Sequence, residues 1–414
     1  MHKILLSLLI ISAPLAIAAQ LPSVSPARAG FDPARLDVAH ATVKRFVEEN
    51  QHAGIITLLA RNGKAVDVQT YGYRDLEKNL PMERDTICRI YSMSKIITSV
   101  GVLVLFEEGR FNLDDPIATY LPELKDLKVM TGGTADAPQL EAVKHPITIK
   151  NLLTHTSGLM YDFDGDDALH QLYKRANLWT GPGLKDFITK VGKLPLKHQP
   201  GDAFTYGINC DVLGTLIERV SGRTFGAFLD ERIFRPLGMK DTAFDVAPEK
   251  MSRLAKTYKH GAGGKFVEAE PLIDTWPEAG RGIESGGAGL FSTVDDYARF
   301  AQMLCNGGTL EGKRILGRKT VELMTANHLS SLPDAAHAFN RAKGFGLGVE
   351  VSIDPGRGAV PTSIGQFGWY GAATTYCQID PKETLVAIAF AQHFPFNEHN
   401  FFGKWATAYY QALK

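Results

Sequence analysis

RIYSMSKIITSVGVLVLFEEGR, residues 89–110, is the stretch from which the rest of the chain is read. Between Ser92 and Glu108 the apolar residues Ile96, Ile97, Val100, Val102, Leu103, Val104, Leu105 and Phe106 leave almost no polar face, and the run stops at Gly109. This predicts a helix buried in the core rather than one lying on a surface. Ser92 and Lys95 enter it at its first turn. Three residues apart on a helix, they share one face, so a neutral Lys95 amine could take the proton of the Ser92 hydroxyl. The unpaired backbone N–H groups at the helix start favour developing negative charge. Roughly one S-x-x-K is expected by chance in a chain of this length, and the plain alternative is Ser92 as an N-cap with Lys95 in water. The setting separates the two readings. A lysine at the mouth of so apolar a helix needs a lowered amine pKa or a buried partner.

Upstream, IITLLARNGKAVDVQTYGYRDL (55–76) predicts two strands turning at Arg61-Asn62-Gly63-Lys64, and 85–90 a short strand. Downstream, helical signals at 184–191 and 211–220 are embedded in loop-rich sequence, with Leu152-Leu153, His155 and Gly158 before them. Strands are expected again at 345–351, 373–379 and 384–391, with helices at 293–304 and 399–413. The outcome is an α/β fold of the α+β type, an antiparallel sheet flanked by helices plus an inserted, mostly helical domain. Residues 25–105 and 250–414 are assigned to the α/β domain and 106–249 to the helical one, with the active site between them.

The chain has 414 residues, 45 Lys plus Arg against 45 Asp plus Glu. That balance removes the electrostatic drive for nucleic-acid or anionic-membrane binding and points to a small, near-neutral partner. Forty glycines without periodicity indicate tight turns and close backbone approach. Residues 1–19, basic at Lys3, apolar from Ile4 to Ile17 and ending in small residues, are expected to be a signal peptide, giving a secreted or periplasmic protein with no stable membrane insertion after cleavage. Cys88, Cys210, Cys305 and Cys377 are scattered singly in apolar segments, which favours buried free thiols over two disulfides and offers no zinc spacing. No G-x-S-x-G, H-E-x-x-H or P-loop is present, and Gly344-Phe345-Gly346-Leu347-Gly348 lacks dinucleotide spacing, so neither cofactor nor metal is expected.

Seven blocks in order resemble one superfamily: 53–77, 89–117 with the S-x-x-K, IKNLLTHTSGL (149–159), FTYGINCDVLGTLIERVSG (204–222), IFRPLGMKDTAF (233–244), GGAGLFSTVDDYARFAQML (286–304) and FGWYGAATTYCQIDP (367–381). It is the serine hydrolase superfamily of class C β-lactamases, D-alanyl-D-alanine carboxypeptidases and family VIII carboxylesterases, whose fold is β-lactamase/transpeptidase-like. The resemblance implies that Ser92 is the acylated nucleophile, Lys95 its general base, and Tyr206 the tyrosine that shares or relays the proton. Where lactamases have Y-x-N this chain has Tyr206-Gly207-Ile208, with Asn209 one step late. Where they carry Lys-Thr-Gly it has Trp369-Tyr370-Gly371, and where the esterases have W-G-G it has Tyr370 in the small position.

Loss of that lysine removes the cation for the carboxylate of β-lactams and peptide C-termini, while Trp369, Tyr370 and Gly371 line a substrate pocket that Tyr370 narrows. The backbone N–H groups of Ser92 and Ala372 are expected to form the oxyanion hole. His155 is read as a packing histidine rather than a triad base, and Gly286, Gly287 and Gly289 as close-packing glycines. The expectation is an exported serine hydrolase cleaving small-molecule esters. The alternatives are activity on β-lactams or D-Ala peptides, and a non-catalytic scaffold. The oligomeric state stays open.

Overall fold

A computed structural model describes residues 20–163, 165–272, 282–333 and 342–414. The signal peptide expected at 1–19 lies outside them. Strands β1 (Gly54–Arg61) and β2 (Lys64–Asp75) form the expected hairpin, and Asn62 and Gly63 between them both take positive φ, 53° and 75°, as a two-residue hairpin turn of the primed type requires. With β3 (Leu80–Pro81), β4 (Lys343–Phe345), β5 (Glu350–Ser352), β6 (Phe367–Gly371), β7 (Thr375–Asp380) and β8 (Leu385–Phe390) they make one eight-stranded antiparallel sheet in the order β4-β5-β6-β7-β8-β1-β2-β3. The two ends of the chain meet at its centre, where Ile56 pairs with Phe390 and Leu58 with Ile388.

Strand alternation sends successive side chains of β1 to opposite cores. Ile55 and Leu59 join α1 (Pro33–Glu48) and the C-terminal helix Phe401–Tyr410 on one face. Ile56, Leu58 and Ala60 pack on the other face with α2 (Ser94–Glu107), α3 (Asn209–Ser221) and α4 (Val294–Cys305), so the C-terminal helix is α5. Helix α2 is buried from Ser94 to Leu105, as its composition requires.

Several expectations are corrected. The strand read at 345–351 is a hairpin, β4 and β5, because Gly348 turns the chain at φ +83°, hard against α2, where an added Cβ would lie 1.9 Å from Ser99 Oγ. The short strand at 85–90 reduces to Cys88–Arg89, paired with Phe291–Ser292. Helix α5 starts at Phe401 rather than 399, since Asn397, His399 and Asn400 all have positive φ. The middle of the chain is helical at Leu184–Val191 and in α3, but Lys128–Gly133 and Pro138–Ala142 form a hairpin that the reading missed. The four cysteines are free thiols.

Candidate active site

Ser92 lies in a 3-10 turn, Tyr91–Met93, that runs straight into α2. It does not cap the helix: the N-cap is Met93, with no side-chain capping bond. Tyr91, the residue before it, is held at φ +42°, a conformation costly for a bulky side chain that persists only when neighbours over-determine it. They do so here. Thr375 Oγ1 donates to the Ile90 carbonyl at 3.2 Å, Tyr297 OH donates to the Met93 carbonyl at 2.9 Å, and Ser94 Oγ accepts from the Leu290 N–H at 3.1 Å. The turn is thereby fixed from β7, α4 and the segment before α4.

Lys95 is 1% exposed, which rejects the solvated reading and leaves the buried-partner one. Its Nζ donates to Ser92 Oγ at 3.1 Å, to Tyr161 OH at 3.0 Å and to the Gly287 carbonyl at 2.7 Å. Behind this triangle, the buried Asp211 of α3 accepts from Ser285 Oγ at 2.5 Å and from the Gly287 N–H at 2.9 Å. Burial works against the Lys95 ammonium, but Tyr161 through its hydroxyl oxygen, Tyr206 through its ring face, the Cys210 sulfur and the Asp211 carboxyl outweigh it and hold the amine above its ordinary value. Burial also lifts the Tyr161 phenol well above its usual range and the Cys210 thiol to about 12, so both are neutral. The counter-charge is therefore the Asp211 carboxyl, itself raised by burial and drawn back by Lys95, Ser285 and Gly287.

Tyr206, the tyrosine expected to share or relay the proton, meets the lysine through its ring. It presents its ring to Lys95 Nζ, 4.7 Å from the centroid, while its hydroxyl oxygen accepts from Trp369 Nε1 at 3.1 Å. Tyr161, which the motif reading passed over, makes the hydroxyl contact instead. Its signal was its place directly after the HTSGLM segment. Asn209 is buried away from Ser92, donating to His155 Nδ1 at 2.9 Å and accepting from Ser157 Oγ. His155 is fully buried among Phe204, Tyr206 and Phe345, where burial drives its pKa well down, a packing role as expected. Gly286 and Gly287 are close-packing glycines: added Cβ atoms would lie 2.3 Å from the Cys210 carbonyl and 2.6 Å from the Asp211 carboxylate.

Ser92 opens into a mostly apolar cavity of about 600 Å³ whose walls include Phe163, Tyr206, Trp369, Ala372, Tyr370 and Phe396. Trp369 and Tyr370 part company at β6. Trp369 faces Tyr206 and the helical side, whereas Tyr370 faces α5, stacks on Phe402 at 5.4 Å, and donates to Glu350 Oε1 at 3.1 Å. Gly371 has no room for a side chain, its Cβ position being 2.4 Å from the Ile90 carbonyl. Lys343, a cation on the cavity wall, is neutralised by Glu350.

A serine and lysine one turn apart at the start of a core helix, beside an antiparallel sheet, define the β-lactamase-like serine hydrolases. The β-lactamase family model matches residues 39–412, and the chain belongs to that family. It is 34% identical over 371 residues to an uncharacterized protein of Mycobacterium tuberculosis, covering 87% of this chain and 90% of the other. It is 28% identical over 372 residues to the esterase EstB of Burkholderia gladioli, covering 82% and 84%. Among solved structures, EstCE1, a hydrolase with promiscuous acyltransferase activity, superposes with a TM-score of 0.76 at 25% identity, covering 91% of this chain and 99% of that one.

Proposed function

We propose that the protein is an exported carboxylesterase that cleaves small, neutral esters through an acyl-enzyme on Ser92. The observation that carries this reading is the Lys95 amine 3.1 Å from Ser92 Oγ on the floor of a mostly apolar cavity. Lys95, once it has lost its proton, takes the Ser92 proton as Oγ attacks the ester carbonyl. The oxyanion rests on the N–H groups of Ser92 and Ala372, and the alcohol leaves with a proton returned through Lys95. Water then hydrolyses the acyl-serine by the same steps. Tyr161 and the Gly287 carbonyl hold the amine in place, and Tyr206, tethered by Trp369, closes the side of the site.

Specificity follows from charge. Trp369-Tyr370-Gly371 offers no cation, Lys343 is paired with Glu350, and Lys95 must be neutral to act as the base, so a substrate carboxylate would be desolvated without a free cation among the described residues of the cavity. The sequence similarity to esterase EstB supports the ester reading. The test is a hydrolysis panel of short neutral acyl esters, nitrocefin and D-Ala-D-Ala peptides. The reading requires kcat/KM for the neutral esters to exceed that for the anionic substrates, and equal or better β-lactam turnover would overturn it. Acyl transfer to an alcohol is the second reading, favoured by a cavity with room for an acceptor beside a short acyl group. Ester products formed when an alcohol is added to the same assay would support it.

A further inference from the structure

The loop after β8 carries a second cluster of reactive side chains, away from Ser92. His393–Phe394 pairs in parallel with Tyr258–His260, which sets two histidines side by side, and Glu398 returns to them at the end of the loop. Glu398 Oε2 lies 2.8 Å from His393 Nε2 and 3.5 Å from His260 Nδ1, and the three candidate ligand atoms all fall within 4.8 Å of one another. His399 Nε2 is 3.8 Å from the same oxygen.

Two hydrogen-bond acceptors face each other here. His260 Nε2 is 2.8 Å from the Asn50 carbonyl, which can only accept, so Nε2 carries the proton. In a neutral ring Nδ1 is then a bare lone pair, and it faces a carboxylate oxygen, another acceptor. In the ion-free protein His393 donates its Nε2 proton to Glu398 and has none to spare for His260; when an ion takes that place, Nε2 becomes the ligand atom and the ring's one proton sits on the buried Nδ1, which has no protein partner among the described residues. A positive charge between His260 and Glu398 resolves the conflict. The bond from His260 Nε2 to a backbone carbonyl is the outer contact that metal-ligating histidines make, since it fixes the ring and its tautomer.

We infer that His260, His393 and Glu398 form a binding site for a divalent transition-metal ion of the zinc class, with His399 the nearest further donor. Two imidazoles and one carboxylate suit Zn²⁺, Co²⁺ or Ni²⁺ rather than Ca²⁺ or Mg²⁺, which take all-oxygen shells. His260 is far in sequence from His393 and Glu398, so the motif spacing that gave no metal could not register the set. The site is a clamp rather than a catalytic centre. Phe396, Asn397 and Asn400, in the loop and at its end, line the substrate cavity, and Asn397, His399 and Asn400 hold φ of 50°, 60° and 55°. An ion there ties this strained cavity wall to the Tyr258–His260 strand.

The test is a Co²⁺ titration of chelator-stripped, tag-free protein, followed by ligand-field absorption, which does not depend on any catalytic reading. One Co²⁺ per chain is expected, with affinity weakened at least ~tenfold in H260Q and in E398Q, both with unchanged circular dichroism. Saturating Zn²⁺ is expected to raise Tm by several degrees in the wild type and not in H260Q. No saturable Co²⁺ binding by the wild type, which would mean that His260 carries the charge as an imidazolium, overturns the site. So does binding that neither substitution weakens.

Discussion

The two sides of β6 are built on different principles. On the side of Trp369, the Ser92 corner is held by polar contacts from several segments: α2 supplies Lys95, the loop after the HTSGLM motif supplies Tyr161, α3 supplies Asp211, and the glycine turn supplies the Gly287 carbonyl. On the side of Tyr370, the contacts are rings, Phe402, Phe396 and Tyr376, with one hydroxyl tied to Glu350. The corner at Ser92 is thus specified by hydrogen bonds, which fail when one partner is removed, and the wall at Tyr370 by volume, which tolerates exchange. Substitutions should therefore act on rate in the first region and on substrate choice in the second.

The largest effect short of losing the nucleophile is expected from Lys95→Ala, a fall in kcat of at least ~100-fold as for loss of a positioned general base. A purified, folded variant retaining near-wild-type esterase activity would remove Lys95 from the mechanism. Next come the two tyrosines. Tyr161→Phe and Tyr206→Phe should each lower kcat on the order of tenfold or more, because one strips a hydroxyl from a buried hydrogen bond and the other from a half-buried one at the site. They should differ in their pH profiles: Tyr161→Phe, which removes a hydroxyl bonded to Lys95, moves the limb set by Lys95 further than Tyr206→Phe, whose hydroxyl bonds Trp369. Identical profiles would erase the distinction drawn between them.

Across β6, Tyr370→Gly should raise kcat/KM for bulky esters relative to acetate esters by about tenfold, the scale of discrimination by pocket volume. An unchanged ratio would make Tyr370 a packing residue beneath α5 and nothing more. The smallest expected effect is Asp211→Asn. The Lys95 amine lies above its ordinary value and works as a base only when neutral, so kcat/KM should rise with pH and be lost as pH falls. Removing the Asp211 charge destabilises the ammonium, and the limb should move toward lower pH by about one unit. Movement to higher pH, or none, would contradict the assignment of Asp211 as the counter-charge.

Ser92 and Lys95 were readable because helix periodicity places residues three apart on one face, and the apolar helix behind them left the lysine nowhere to go but inward. The central hairpin was readable from its turn at Asn62-Gly63. Tyr161 was not, since it belongs to a loop with no periodicity and reaches Lys95 only through the tertiary fold. The Gly287 carbonyl was invisible in principle, because any residue has one. Around Gly348, an apolar run broken by two glycines resembles a strand, and only the proximity of Ser99 on α2 makes it a turn. The face taken by Tyr370 depended on a register that a one-residue shift would reverse.

The central claim is that Ser92 becomes acylated, and intact-protein and peptide mass spectrometry after reaction with a serine-directed fluorophosphonate tests it most directly. One adduct per chain is expected, located on Ser92, absent in Ser92→Ala and strongly slowed in Lys95→Ala. An adduct on another residue, or labelling that persists in Ser92→Ala, would contradict it.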